Sequence, residues 1–196
     1  MNKHKLFLVI HFSLFGYSFL FAANIPNFGQ VTENIYRGAR LETEAQYQQL
    51  MSSGIQTIIN LESLNQDDPK MCTKYHLKCE KFPIPIRPGQ GGDRIFDYEM
   101  LKQAFQSLVN EINSGAKVYI HCHYGRDRTG SLAAAITIRK NLCSSENQDK
   151  DAVWQKVQSD LTTYGFHFDW YNDLGNTIKS WVYTSPSWIC SGITKL

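Results

Sequence analysis

Residues 117–141 pass from strand to loop to helix with no spacer between them. Lys117 to His121 (KVYIH) is short and mostly apolar, the pattern of a buried strand. Cys122 to Arg128 is a loop around a single glycine, and Thr129 to Asn141 is an apolar, alanine-rich helix. A chain that goes from buried strand to helix in this way is constrained to a layered α/β arrangement, because both elements need a partner layer to cover their apolar faces.

The flanking segments keep the alternation. Val31 to Arg37 reads as a short strand or turn pair ending at Gly38. Thr43 can cap a helix over Glu44 to Ser53, with Tyr47, Leu50 and Met51 on one face and Gly54 as its stop. Ile55 to Leu61 (IQTIINL) is a buried strand, and Asn65 to Lys70 a polar, proline-containing loop. Leu77 to Ile86 is the next strand, followed by RPGQGGDR at 87–94, whose three glycines make a surface loop. Asp97 caps a helix through Asn113 that carries Leu101, Phe105, Leu108, Val109 and Ile112 at helical spacing. After a polar connection at 144–150, helices cover 151–164, stopped by Gly165, and 169–182. The remainder, to Leu196, reads as an irregular tail holding Cys190. The expectation is one domain over 25–182, a central and mostly parallel sheet flanked by helices, with a tail at 183–196.

The N-terminus differs. Lys3, His4 and Lys5 precede a largely apolar stretch from Leu6 to Phe21, and Ala22 and Ala23 follow. Residues 1–22 read as a signal peptide, which implies an exported, periplasmic or secreted protein. An uncleaved membrane anchor is the alternative, although the run is short for a span. Once the signal is cleaved, no stable membrane insertion is expected. Loss of Lys3 and Lys5 takes the formal charge from +2 to zero, so binding of nucleic acid through overall charge is not expected.

There are five cysteines, at 72, 79, 122, 143 and 190. In an oxidising compartment an odd count leaves at least one thiol unpaired. Bridges Cys72–Cys79 and Cys143–Cys190 are one arrangement, which would leave Cys122 free; the alternative is that the other four are buried, reduced groups. A zinc site from Cys72, His76 and Cys79 lacks a fourth ligand.

The sharpest motif is His121-Cys122-His123-Tyr124-Gly125-Arg126-Asp127-Arg128-Thr129-Gly130. A loop opening a helix presents several backbone N–H groups to one point, and the helix dipole favours an anion there. Arg128 adds a planar fork matched to two phosphate oxygens. The same environment stabilises a thiolate at Cys122. Among the five cysteines, only Cys122 has an arginine six residues later.

This segment resembles the phosphate-binding loop of the cysteine-dependent protein tyrosine phosphatase superfamily, pattern H-C-x-x-G-x-x-R-[ST]. NIYRGARL at 34–41, GIQTIINL at 54–61 and YGFHFDW at 164–170 resemble atypical dual-specificity members. The resemblance implies Cys122 as nucleophile, Arg128 as the phosphate-binding arginine and Thr129 as the hydroxyl that eases thiolate departure. It implies His121 as the residue that orders the loop, and Gly125 as the glycine that lets the amides converge. The general acid is implied to be an aspartate on an upstream loop. Asp93 is favoured, while Asp97 reads better as a helix cap. Glu62 departs from the basic residue that related sequences often carry after the same strand.

Expected catalytic residues are therefore Cys122, Arg128, Asp93 and Thr129, with His123, Tyr124, Gly125, Arg126 and Asp127 joining Arg128 around the substrate. Asp127 is expected to pair with an arginine, and His167 to be structural. No cofactor or metal is required. The implied reaction is phosphomonoester hydrolysis through a phosphocysteine, on tyrosine or dual-specificity phosphoprotein substrates. An inositol phosphate or phosphoinositide is the alternative, because His123 and Arg126 add basic groups beside the loop. A non-catalytic phosphate-binding or redox protein is a third reading. Oligomeric state is left open.

Overall fold

A computed structural model describes residues 24–88, 94–143, 149–168 and 172–191; the signal segment and Asp93 lie outside the described residues. The elements are β1 (Gly29–Thr32), β2 (Ile35–Ala39), α1 (Glu44–Ser52), β3 (Thr57–Asn60), α2 (Pro69–Lys74), β4 (Lys78–Lys81), β5 (Ile86–Pro88) and β6 (Arg94–Phe96). They continue with α3 (Tyr98–Asn113), β7 (Val118–Cys122), α4 (Asp127–Leu142), α5 (Lys150–Thr163), α6 (Asn172–Thr184) and α7 (Ser187–Cys190).

Five strands form one sheet in the order β1-β2-β7-β3-β4. β2, β7, β3 and β4 run parallel, and β1 adds antiparallel at the edge. The central position of β7 explains its composition: all five of its residues are buried, so it has no solvent face to keep polar. Its side chains alternate between two cores. Val118, Ile120 and Cys122 join the cluster built with α3, α4, α5 and α6, while Tyr119 joins the one built with α1 and α2. Ile59 and Ile58 divide in the same way on β3.

α3 starts where Asp97 Oδ1 accepts the Met100 N–H at 3.0 Å, and it buries Leu101, Ala104, Phe105, Leu108 and Val109 as a stripe. α4 is buried on nearly every side from Thr129 to Arg139. That is why its sequence is alanine-rich and carries no polar stripe.

Three expectations need correction. The segment 65–70 is not all loop, because α2 begins at Pro69. Asp68 caps it, and proline at the first helical position is favourable rather than disruptive. The stretch 87–94 is not wholly loop either, since β5 and β6 pair as a short antiparallel ribbon. The tail is not irregular: α7 buries Ile189 in the main core, and Arg139 Nη1 donates to the carbonyls of Ile189 and Ser191. Disulfides join Cys72 to Cys79 and Cys143 to Cys190, which leaves Cys122 as a free, buried thiol. The sulfurs of Cys72 and Cys79 are thus spent on each other, and the zinc reading falls. Among the described residues, no helix is long and apolar enough to cross a membrane.

Candidate active site

The site forms where three parallel strands end together. Ala39 of β2 is in register with Cys122, and Asn60 of β3 with His121, so β2, β3 and β7 end side by side at one edge of the sheet. Carboxyl ends of parallel strands are where α/β sheets collect their ligands. Cys122 is the last residue of β7 and is 3% exposed.

The chain then turns through His123 to Arg126 into α4. Gly125 makes the turn with φ +68°. A Cβ there would lie 2.4 Å from the carbonyl carbon of Gly38 and 2.7 Å from the Ala39 nitrogen. Both the backbone conformation and the close approach to β2 therefore require glycine. α4 begins at Asp127, two residues before the expected start, and places Asp127, Arg128 and Thr129 in its first turn. The N–H groups of a first turn have no intrahelical acceptors and point back toward the preceding loop.

Several side chains fix the loop from outside. Arg37 on β2, 2% exposed, donates through Nη2 to the Gly125 carbonyl at 2.7 Å. Burial pulls its guanidinium down to about 10, against the raising influence of Tyr164, Cys122, Asp160 and Tyr119. Asn27 Nδ2 donates to the Tyr124 carbonyl at 2.7 Å. Among the described residues Asp127 pairs with His167 rather than with an arginine as expected. Its two oxygens take the backbone N–H of His167 at 2.9 Å and meet the His167 Nδ1 at 3.1 Å. The structural reading of His167 agrees with this contact. Thr129 is fully buried, and its hydroxyl has no hydrogen-bond partner among the described residues.

Arg128 extends from α4 with Nη1 3.4 Å from the carbonyls of Leu61 and Ile84. It thereby links α4 to the exits of β3 and β4. Tyr124 stands at the rim, 61% exposed, with the His123 ring edge-on at 4.1 Å and the Arg126 guanidinium 5.6 Å from its ring centroid. Glu62 is 3% exposed and its carboxylate is 3.7 Å from His123 Nδ1 and 3.9 Å from Arg40 Nη1. The unusual acid after β3 is therefore a buried carboxylate set against the Arg40 guanidinium and the His123 ring.

Below the loop, the fully buried His121 meets Asp67 through Nε2, 3.1 Å from Oδ1. Burial alone would raise the Asp67 carboxyl. Hydrogen bonds from His121 and Asn60, with the charge on His121, outweigh it and hold the group below its ordinary value. Tyr119 stacks on His121 with centroids 5.7 Å apart and donates its hydroxyl to the Ala39 carbonyl at 2.5 Å. Burial drives its hydroxyl far above the ordinary tyrosine range.

The fold thus gathers Cys122, His123, Tyr124, Gly125, Arg126, Asp127, Arg128 and Thr129 at the β7–α4 junction, next to His121. Asp97 lies at the start of α3 with its carboxylate engaged as a cap. Arg37 and Asp67 were not singled out from the sequence. A lone charge at the middle of an otherwise small or apolar strand, IYRGA, is the signal for Arg37. Nothing local marks Asp67, which precedes a second aspartate with an obvious capping role.

No curated protein matches the chain. Its fold is similar to that of the core catalytic domain of the PP-IP phosphatase SIW14 from S. cerevisiae. That match has 15% identity and a TM-score of 0.59, over 85% of this chain and 89% of that one. TpbA of P. aeruginosa is similar at 20% identity and TM-score 0.55, over 79% of this chain and 84% of that one. The PTP-2 phosphatase of Cydia pomonella is similar at 17% identity and TM-score 0.55, over 77% and 86% respectively. These likenesses establish the fold. The family model described as "Polymorphic toxin system, DSP-PTPase phosphatase" matches residues 34–141, from the threshold of β2 to the last turn of α4. With the Cys122–Arg128 loop inside that span, the chain belongs to this phosphatase family.

Proposed function

We propose that this phosphatase hydrolyses phosphomonoesters in two steps at Cys122, acting on tyrosine or dual-specificity phosphoprotein substrates. The observation that carries the reading is the placement of a free thiol at the end of β7, directly before a glycine turn that opens α4. The thiolate attacks phosphorus, and the bond from phosphorus to the ester oxygen breaks. The departing oxygen takes a proton from the general acid, assigned to Asp93, and the alcohol leaves. Water then attacks the phosphocysteine while the Asp93 carboxylate takes its proton; the P–S bond breaks, the sulfur departs as a thiolate with the Thr129 hydroxyl donating to it, and inorganic phosphate is released. Loop amides and the Arg128 guanidinium hold the phosphoryl oxygens throughout. His121, braced by Asp67, keeps the end of β7 in place. No step calls for a metal.

The rim supports two substrate readings. The exposed Tyr124 ring gives a flat apolar surface for an aromatic ester. His123 and Arg126, both beside that ring, also suit the neighbouring phosphates of an inositol polyphosphate. Phosphotyrosine peptide, phosphothreonine peptide and inositol polyphosphate, assayed with wild type and Cys122→Ser, test both readings. Loss of all activity in the serine variant is expected, and retained activity would refute the mechanism. A selective loss on inositol polyphosphate in Arg126→Ala would move the assignment to the second substrate class.

We further propose export through residues 1–22 and a phosphatase domain at 25–182. The two disulfides support an oxidising destination. N-terminal sequencing of the exported chain tests cleavage; a start at Met1 would indicate the uncleaved anchor.

A further inference from the structure

We propose that Arg37 is a positioning residue for the reaction: its guanidinium holds the loop through the Gly125 carbonyl and places a fixed positive charge behind Cys122, keeping that thiol ionised in the empty site. The inference rests on the reading of Cys122 as nucleophile.

Strand geometry puts Arg37 there. Ile35, Arg37 and Ala39 share one face of β2, and Ile35 lies in the same core cluster as Ile120 and Cys122. Ala39 is the register partner of Cys122, so Arg37 lies one pleat deeper under the loop. Its Nη2 reaches the Gly125 carbonyl at 2.7 Å. Its Cζ lies 3.9 Å from the Tyr164 ring centroid, at the end of α5. α4 passes beside it at Gly130, where the room is taken by Leu161 and Phe166. A Cβ on Gly130 would meet Leu161 at 3.0 Å and Phe166 at 3.2 Å, and would stand 3.8 Å from Arg37 Nη2.

What makes the residue informative is what it lacks. Among the described residues no carboxylate forms an ion pair with Arg37, although the nearly complete pairing of buried charges is the rule. Its Nε is also buried without a partner. A structural arginine at this depth would be matched by an acid. Asp160 acts on it only at longer range, whereas Cys122 is among the groups whose negative form it favours. A cation with no resident anion, set behind a thiol, has the thiolate as its counter-charge.

Other charged and titratable groups lie on the elements packed around the loop and Arg37. They are Tyr119 and His121 from β7, His123 and Arg126 from the loop, and Asp127 and Arg128 from α4. Glu62 and Asp67 follow β3, and Asp160 and Tyr164 come from α5. All remain in the variants below.

The test measures the rate of Cys122 alkylation by iodoacetamide against pH, with no substrate present. Arg37→Gln keeps an N–H donor for Gly125 and removes the charge, while Arg37→Lys keeps the charge. The midpoint is expected to rise by about one unit in the glutamine variant, a roughly tenfold loss of thiolate below the old midpoint. In the lysine variant it is expected to stay within about 0.3 units of wild type. The acid limb of kcat/KM should move with the midpoint. Unchanged midpoints in the glutamine variant, or a full-unit rise in the lysine variant, would overturn the proposal. The lysine result decides alone if the glutamine variant does not fold. Because alkylation needs no turnover, the two readings fail separately. Activity in Cys122→Ser removes the nucleophile, whereas unmoved midpoints with an inactive serine variant remove only the role of Arg37.

Discussion

Asp67 Oδ1 and His121 Nε2 meet at 3.1 Å beneath the loop, joining the residue before Cys122 to a segment 54 positions earlier in the chain. Their side chains are 5% and 1% exposed, so neither can exchange this partner for water. A buried charge-assisted contact of this kind contributes on the order of 2 kcal/mol.

Asp67→Asn should therefore lower stability by about 2 kcal/mol in urea unfolding. Its effect should depend on pH in a defined direction. The folded carboxyl titrates below its ordinary value of 3.8, so its contribution is complete above that pH and is lost as pH falls through the folded value. The gap between wild type and variant should not shrink until the pH falls below the ordinary carboxyl value of 3.8, and should narrow as acidification continues toward the lower folded value. A gap that widens as pH falls below the ordinary carboxyl value would contradict the account.

Glu62 is expected to restrain the charge of the rim. Glu62→Gln leaves His123 and Arg40 without their buried anion and makes the mouth more positive. KM for a polyanionic substrate should fall by roughly two- to fivefold at low salt, with kcat little changed. The difference should vanish at about 0.5 M salt if it is electrostatic. A fall in kcat instead would place Glu62 in the chemistry.

Gly125→Ala meets two penalties at once. The left-handed backbone costs a non-glycine residue about 1–2 kcal/mol, and the new methyl would overlap the carbonyl of Gly38. The loop has to shift to accommodate it. A loss of kcat/KM of at least about 100-fold is expected, in step with the sensitivity of reacting geometry to displacements near 1 Å. Near-normal activity would mean that the loop does not need this turn.

The Cys143–Cys190 bridge closes a segment of 47 residues and ties α7 to the end of α4. By loop-closure entropy, its removal in Cys143→Ser/Cys190→Ser should cost on the order of 4 kcal/mol, measured by denaturant unfolding. Loss of well under 1 kcal/mol would show that the Ile189 and Trp188 contacts dock the segment unaided.

Legibility followed sequence distance. The strand–loop–helix unit at 117–141 was readable because each part announces itself locally, in an apolar run, a glycine and an alanine-rich stretch. The Asp97 cap and the stripe from Leu101 to Val109 were readable for the same reason. α2 is hidden because a proline in a polar stretch reads as a breaker, although the Asp68–Pro69 pair also starts helices. The docked α7 was hidden because four residues carry no periodicity. At the site, the loop residues were legible as a contiguous motif. Their supports were not: Arg37 meets Gly125 across 88 positions and Asp67 meets His121 across 54. Those meetings exist only once β2 and β3 are known to flank β7, and no local pattern encodes that register.

With four sulfurs locked in two bridges, Cys122 has no free neighbour in this chain with which to form an internal disulfide. Peroxide that converts it to a sulfenic acid therefore meets no resolving thiol on the same polypeptide. Recovery has to come from an external thiol such as glutathione, or from condensation with a backbone nitrogen. Without either, further oxidation to the sulfinic acid is irreversible for ordinary reductants, so brief oxidant exposure becomes lasting inactivation.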